Sequence, residues 1–279
     1  MPEFSALSVA IALAALPSLA SVELVKALRW RYLLGENPPS FAQCLRALVA
    51  GQIANALVPI RGGEVVSVGI LRVEGGPVVS GTAALLGGKA IDAIGLAALA
   101  AIILGTAAFR VSELAAVALG LAALAAMIVF RRRFRELATS TWLGRKLHLA
   151  ELIEVVKQLR QAHTWPLMAA ITVVVIGAGM LSNCIAMSAG GVPPTFDLAA
   201  RMLVTGYAAG LLPAPPARLG VYEASIVAAL GSAGISLSQS LEVAVLLHAC
   251  QFAELGLLLL ISMLWSRVGR ARQGVAQVG

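Results

Sequence analysis

The sequence predicts an all-α polytopic membrane protein with about five full spans and two broken, re-entrant helical hairpins arranged as an inverted repeat. Three observations carry that prediction. Hydrophobic residues fill 59% of the 279 positions and charged residues only 13%, with a mean hydropathy of +0.89, far outside the range of soluble domains. The apolar runs are long and rich in Ala, Leu and Gly, without the period-two alternation of an outer-membrane barrel, so helices must do the spanning. Two stretches interrupt those runs with similar chemistry: residues 55–64, with Pro59, Arg61, Gly62, Gly63 and Glu64, and residues 212–223, with Pro213, Pro215, Pro216, Arg218, Gly220 and Glu223. Proline removes a backbone donor and glycine favours unwinding, so neither stretch is one continuous helix.

The formal net charge of +7 would suggest nucleic acid in a soluble protein. Here the basic residues cluster at the ends of apolar runs, where orientation in the membrane and anionic lipid head groups account for them, and no nucleic-acid partner is expected. The three cysteines, Cys44, Cys184 and Cys250, lie far apart in apolar runs and read as packing residues.

The elements follow in order. A first span over about residues 5–28 is followed by Lys26, Arg29 and Arg31. By the positive-inside rule these are cytoplasmic and the N-terminus is outside. After a polar turn at 35–40 comes the first broken segment, 41–77, closed by the glycine turn at 74–77. Runs at about 78–105 and 114–130 form a two-span hairpin. The basic run 131–135 places its exit in the cytoplasm, so segment 41–77 begins and ends inside. Residues 131–165 read as a cytoplasmic amphipathic basic linker, with His148 and His163 solvated and not metal ligands. A span at 166–188, a turn at 190–194, a second broken segment at 196–240 that starts and finishes outside, and a final span at 241–265 complete the chain. The C-terminus, with Arg267, Arg270 and Arg272, is cytoplasmic. The domain organisation is thus 1–130 and 166–279 as two inverted repeats around the linker. A shift of 159 residues places Glu64 on Glu223, Lys89 on His248, Asp92 on Gln251 and residues 7–28 on 166–187.

Inverted repeats with broken helices build midplane sites in many secondary transporters. Arg61 and Arg218 sit at the breaks, where a guanidinium either grips a phosphate in bidentate fashion or neutralises a neighbour, Glu64 or Glu223. Those two glutamates hold the arginines, cap half-helices or carry a proton. Asn55 and Tyr222 lie close enough to the breaks to join a substrate site, with Asn183 and Tyr207 in apolar surroundings nearby. Lys89 and Asp92, three apart, can pair on one helix face. His248, Gln251 and Glu254 recur at offsets of three as a polar stripe, with His248 the candidate proton relay against a packed histidine. No catalytic triad order, phosphate loop, metal motif or cofactor motif occurs, so an enzyme is not expected.

These residues carry a resemblance. Lys26-Ala-Leu-Arg29-Trp30-Arg31, then Asn55-x3-Pro59-x-Arg61-x-Gly63-Glu64, Asp92 in a following helix and Arg218-Leu-Gly220-Val-x-Glu223 together resemble the lysylphosphatidylglycerol synthase transmembrane-region family, also called flippase-like. The resemblance implies a bacterial or archaeal inner-membrane protein whose membrane part is associated with moving lipid between leaflets. The soluble synthase of fused members is not in the sequence, so it implies no aminoacyl transfer by this chain. Two departures stand out: Val65, Val66 and Ser67 follow the Gly-Glu pair where relatives tend to be basic, and a Pro-Gly-Gly-x-Gly feature is replaced by Pro215-Pro-Ala-Arg218-Leu-Gly220. The leading expectation is a transporter for an anionic or polyprenyl-phosphate-type lipid. The alternatives are a scaffold that presents lipid to a lipid-modifying partner enzyme, and a membrane-embedded lipid-modifying transferase.

Overall fold

The computed structural model describes residues 5–35, 37–57, 62–106, 164–210 and 215–276. Within them every regular element is a helix: α1 (Ala6–Leu13), α2 (Leu16–Leu33), α3 (Phe41–Leu57), α4 (Gly63–Val73), α5 (Val78–Thr106), α6 (Thr164–Ala189), α7 (Phe196–Ala209), a 3-10 turn (Pro216–Arg218), α8 (Val221–Gly231) and α9 (Leu237–Ala276). Four apolar helical stretches are long enough to cross a membrane: Ala6–Leu33, Val78–Ile103, Thr164–Ala189 and Leu237–Trp265. The expected span at 114–130, the linker at 131–163 with His148 and His163, and Pro59, Arg61 and Pro213 at the breaks lie outside the described residues.

Local chemistry sets the element ends. Ser5 caps α1 by accepting from Ser8 N at 3.0 Å. Pro17, in the first turn of α2, has no N–H to continue the ladder, and the first span is divided there into α1 and α2. Thr195 caps α7 through Leu198 N. Gly75 and Gly191 take left-handed φ values of 84° and 68° in the turns at 74–77 and 190–194, as those glycine-rich stretches require.

The first broken segment is a helical hairpin. At ~1.5 Å per residue its arms, 17 and 11 residues long, reach only ~26 and ~17 Å, short of a bilayer core. They run antiparallel. Gln43 Nε2 near the start of α3 donates to Glu74 O just past α4 at 3.2 Å, and Asn55 Oδ1 near the end of α3 accepts from Gly63 N at 2.8 Å. The second segment, α7 and α8 around the 3-10 turn, repeats the form, with Gly206 facing Tyr222 and Ile226.

The packing partners match between halves. Within each, the leading span packs on the first hairpin arm and on the following span, and the hairpin arms pack on each other. Across the halves α3 packs on α9 as α7 packs on α5, α2 packs on α9 as α6 packs on α5, and α2 crosses α6, where Ser18 Oγ donates to Ala178 O at 2.7 Å. One apolar core gathers Trp30, Leu33, Leu48, Leu71 and Ala84, and a second gathers Met187, Met202, Ile226, Leu230 and Leu247. Large apolar side chains such as Leu7, Val73, Leu86, Val173, Leu260 and Leu264 point outward, a surface suited to lipid and not to water.

One expectation is corrected. Lys26, Arg29 and Arg31 do not follow the first span but lie inside α2, which continues to Leu33, and Arg29 is only 4% exposed. With Arg29 buried and Lys26 and Arg31 half-buried, the cluster has a structural use of its own.

The hairpin depends on close backbone approach. A Cβ on Gly51 would lie 1.9 Å from Ser67 Oγ and 2.4 Å from Gly63 O, and one on Gly63 would lie 2.1 Å from Gly51 O. Gly51→Ala and Gly63→Ala should each lower stability by ~1–3 kcal/mol, read as a lower thermal unfolding midpoint in detergent. Gly69→Ala on the same α4, with nothing within 4 Å of its Cβ, is the control and should be neutral or slightly stabilising.

Candidate functional site

Between the two hairpins lies a cavity of about 600 Å³, walled by α2, α3, α5, α7 and α9 and by the turn bearing Arg218. Part of its lining is apolar, with Leu19, Leu96, Leu203 and Leu255. The rest carries much of the charge of the bundle: Glu23, Lys26 and Arg29 from α2, Glu64 from α4, Lys89 and Asp92 from α5, Arg218, and His248 and Glu254 from α9. The 3-10 turn Pro216–Arg218 packs on α3, so the second break reaches the first hairpin.

The charges are tied across helices. Arg29 Nη1 and Nη2 donate to Asp92 Oδ1 and Oδ2, both at 2.6 Å, a fork joining α2 to α5 with side chains 4% and 12% exposed. Lys89 Nζ donates to Glu64 Oε1, joining α5 to the first turn of α4. Asn55 links to the same carboxylate while it holds Gly63 N, so the start of α4, which has no side-chain cap at Gly62, is held by α3. Lys26 Nζ bonds Glu23 Oε1 at 3.0 Å and stands 6.0 Å from the Tyr207 ring centroid, while Gln52 Nε2 donates to Glu23 Oε2 at 3.4 Å.

The second half repeats this logic with other residues. Gly220, at φ 82°, precedes α8, and Glu223 Oε2 accepts from its N at 2.7 Å. Glu223 Oε1 lies 2.6 Å from His248 Nδ1 on α9. Tyr222 stacks on His248 with ring centroids 4.5 Å apart, Phe252 covers the imidazole at 4.9 Å, and Gln251 Nε2 donates to Tyr222 Oη at 2.9 Å. Glu64–Lys89 and Glu223–His248 are each separated by 25 residues. Ala217 and Arg218 both take left-handed backbone, φ 60° and 53°, which costs energy for residues with a Cβ and aims the half-buried Arg218 at the cavity.

The expected site residues therefore come together: Asn55, Glu64, Lys89, Asp92, Pro215, Arg218, Tyr222, His248 and Glu254 line one space. Gly62, Gly63, Pro216 and Gly220 form the edges of the breaks. Asn183 also lines the cavity and fastens α6 to α7 through Ala199 O at 2.9 Å. One pairing is corrected. Lys89 and Asp92 do not bind each other, because α4 and α2 each supply an opposite charge in better geometry than a helix i, i+3 pair. Glu64 is engaged by Lys89 and Glu223 by Gly220 N and His248, so these carboxylates fasten half-helices to the following spans.

Glu23, Lys26, Arg29 and Gln52 were not among the expected site residues. Their signal was the three-residue spacing of Glu23, Lys26 and Arg29, which marks one face of a helix and not a flank, and the matching spacing of Gln52 and Asn55.

Four membrane-length helices among the described residues, two shorter helical hairpins and a charge-lined cavity define a polytopic membrane domain built around a polar site. The chain belongs to the lysylphosphatidylglycerol synthase TM region family, whose family model matches residues 2–259 of the 279. That membership assigns it a lipid-related membrane role. No curated protein and no solved structure matches the chain.

Removing one partner of a buried ion pair leaves the other uncompensated. Arg29→Met and Asp92→Leu should each cost ~3–5 kcal/mol, and the double variant much less than their sum, as measured by unfolding in detergent. Additive losses would show that the fork does not operate as a unit.

Proposed function

We propose that the chain is a lipid transporter that moves an anionic or polyprenyl-phosphate-type lipid across a bacterial inner membrane by alternating access. The cavity between the two re-entrant hairpins carries this reading. Its volume of about 600 Å³ suits a head group, and the apolar part of its lining suits the first carbons of chains that stay in the bilayer. Arg218 and Arg61, one from each break, are the phosphate ligands. Asn55 and Tyr222 complete the head-group site.

The 25-residue spacing of Glu64–Lys89 and Glu223–His248, and the matched packing of the halves, support an inverted repeat with the site on its axis. In this reading each pair is a latch that holds a half-helix against the following span. Releasing one latch exposes the cavity to one side. The N-terminus is outside, the C-terminus is cytoplasmic, and the chain acts as a carrier and not as an enzyme.

Proteoliposomes of the full chain should move a fluorescent anionic phospholipid between leaflets faster than protein-free vesicles. Loss of a charged hydrogen bond is worth about tenfold, so Arg218→Ala and Arg61→Ala should each slow movement about tenfold or more while the protein remains folded. Folded wild-type protein without translocation would sink the carrier reading in favour of a scaffold, and product formation from added lipid would favour a transferase.

A further inference from the structure

Five carboxylates lie at or beside the cavity: Glu23, Glu64, Asp92 and Glu254 line it, and Glu223 bonds its lining residue His248. Four have a partner that is basic or can become so: Lys26, Lys89, Arg29 and His248. Glu254 differs. It is 4% exposed, and its Oε1 is sealed from solvent with no hydrogen-bond partner among the described residues. An ionised carboxylate in that state costs several kcal/mol in a bundle interior.

The neighbours of Glu254 make the situation specific. From α2, Glu23 and Lys26 lie within its electrostatic reach. From α3, Gln52 is neutral, and Arg46 is engaged two turns further along α9 with Ser262 O and with Glu74. From α8, Tyr222 and Glu223 are held by Gln251 and His248. The facing side chain of α6, Asn183, is neutral, and α1 has no titratable residue. One ammonium, that of Lys26, thus stands before two carboxylates and binds only Glu23.

We propose that Glu254 is a proton-binding site opening on the cavity, and that Lys26 is the ammonium that answers to its charge. With a proton on Glu254, Lys26 stays on Glu23. When that proton leaves for the cavity, the new carboxylate draws Lys26 away from Glu23. Lys26 also stands over the Tyr207 ring of α7, so its shift changes a contact between the leading span and the second hairpin. The proton site stands on the geometry alone. Its further role as the coupling site of transport rests on the carrier reading above.

Infrared difference spectroscopy of the full chain in nanodiscs, titrated through neutral pH, tests the proton site. Wild type should show the carbonyl stretch of a protonated carboxylic acid, and Glu254→Gln, a close mimic of the protonated form, should lose it. Glu23→Gln frees Lys26 for Glu254 and should also abolish the band at a pH where wild type retains it. A wild type without the band, a band unchanged in Glu254→Gln, or one that follows sodium concentration and not pH overturns the proposal. In proteoliposomes an imposed pH gradient should change lipid movement by wild type and not by Glu254→Gln. Wild-type movement indifferent to the gradient would remove the coupling role. Absence of lipid movement would instead remove the carrier reading and leave the proton site to the infrared band.

Discussion

A charge inside a membrane-spanning bundle persists only with a partner, and that constraint organises this protein. The Arg29–Asp92 fork, the Glu64–Lys89 pair and the Glu223–His248 contact each join two different helices. Each therefore fixes an angle and a register as well as offsetting desolvation. Apolar packing alone is weakly directional between helices rich in Ala and Leu, because lipid tails satisfy such surfaces equally well. The ionic ties add direction. They converge on one space, so the cavity is the meeting point of the interactions that hold its walls.

The same constraint explains the hairpins. A helix interrupted at membrane depth exposes backbone groups that no lipid can satisfy. In the first hairpin Asn55 supplies the acceptor for Gly63 N, and in the second Glu223 supplies one for Gly220 N. Asn55 also lines the cavity, and Glu223 bonds His248, which lines it, so the groups that complete the backbone are tied to the cavity lining. The close contact of Gly51 with Gly63 brings the two arms together so that Asn55 can reach. Cap, glycine contact and ion pair form one dependent series.

Much of this was legible in the residues. Run length marked the spans, and Pro, Gly and charge marked the breaks, because proline and glycine act through the local backbone and need no tertiary context. Glu64, Asn55, Arg218 and Glu223 stood out for the same reason. The partners did not. Lys89 and Asp92 are neighbours in sequence, but each is claimed by a helix 25 or more residues away, and such competition is decided by three-dimensional geometry. Lys26 and Arg29 were hidden differently. A basic cluster at the end of an apolar run is a normal flank, and only the continuation of α2 to Leu33 turns it inward.

The two halves are matched in position but not in chemistry, and this difference bears on mechanism. Glu64 is paired with Lys89, whereas Glu223 is paired with His248, which is charged only when protonated. Asp92 draws an arginine fork, whereas Gln251 at the corresponding place makes a neutral bond to Tyr222. The helices of the first half are therefore tied by arginine and lysine ion pairs and those of the second by a histidine contact and a neutral hydrogen bond. A symmetric pair of hairpins would have no reason to open one before the other. In the carrier proposed above, this distribution of charge makes α8 the half-helix expected to separate first from its span.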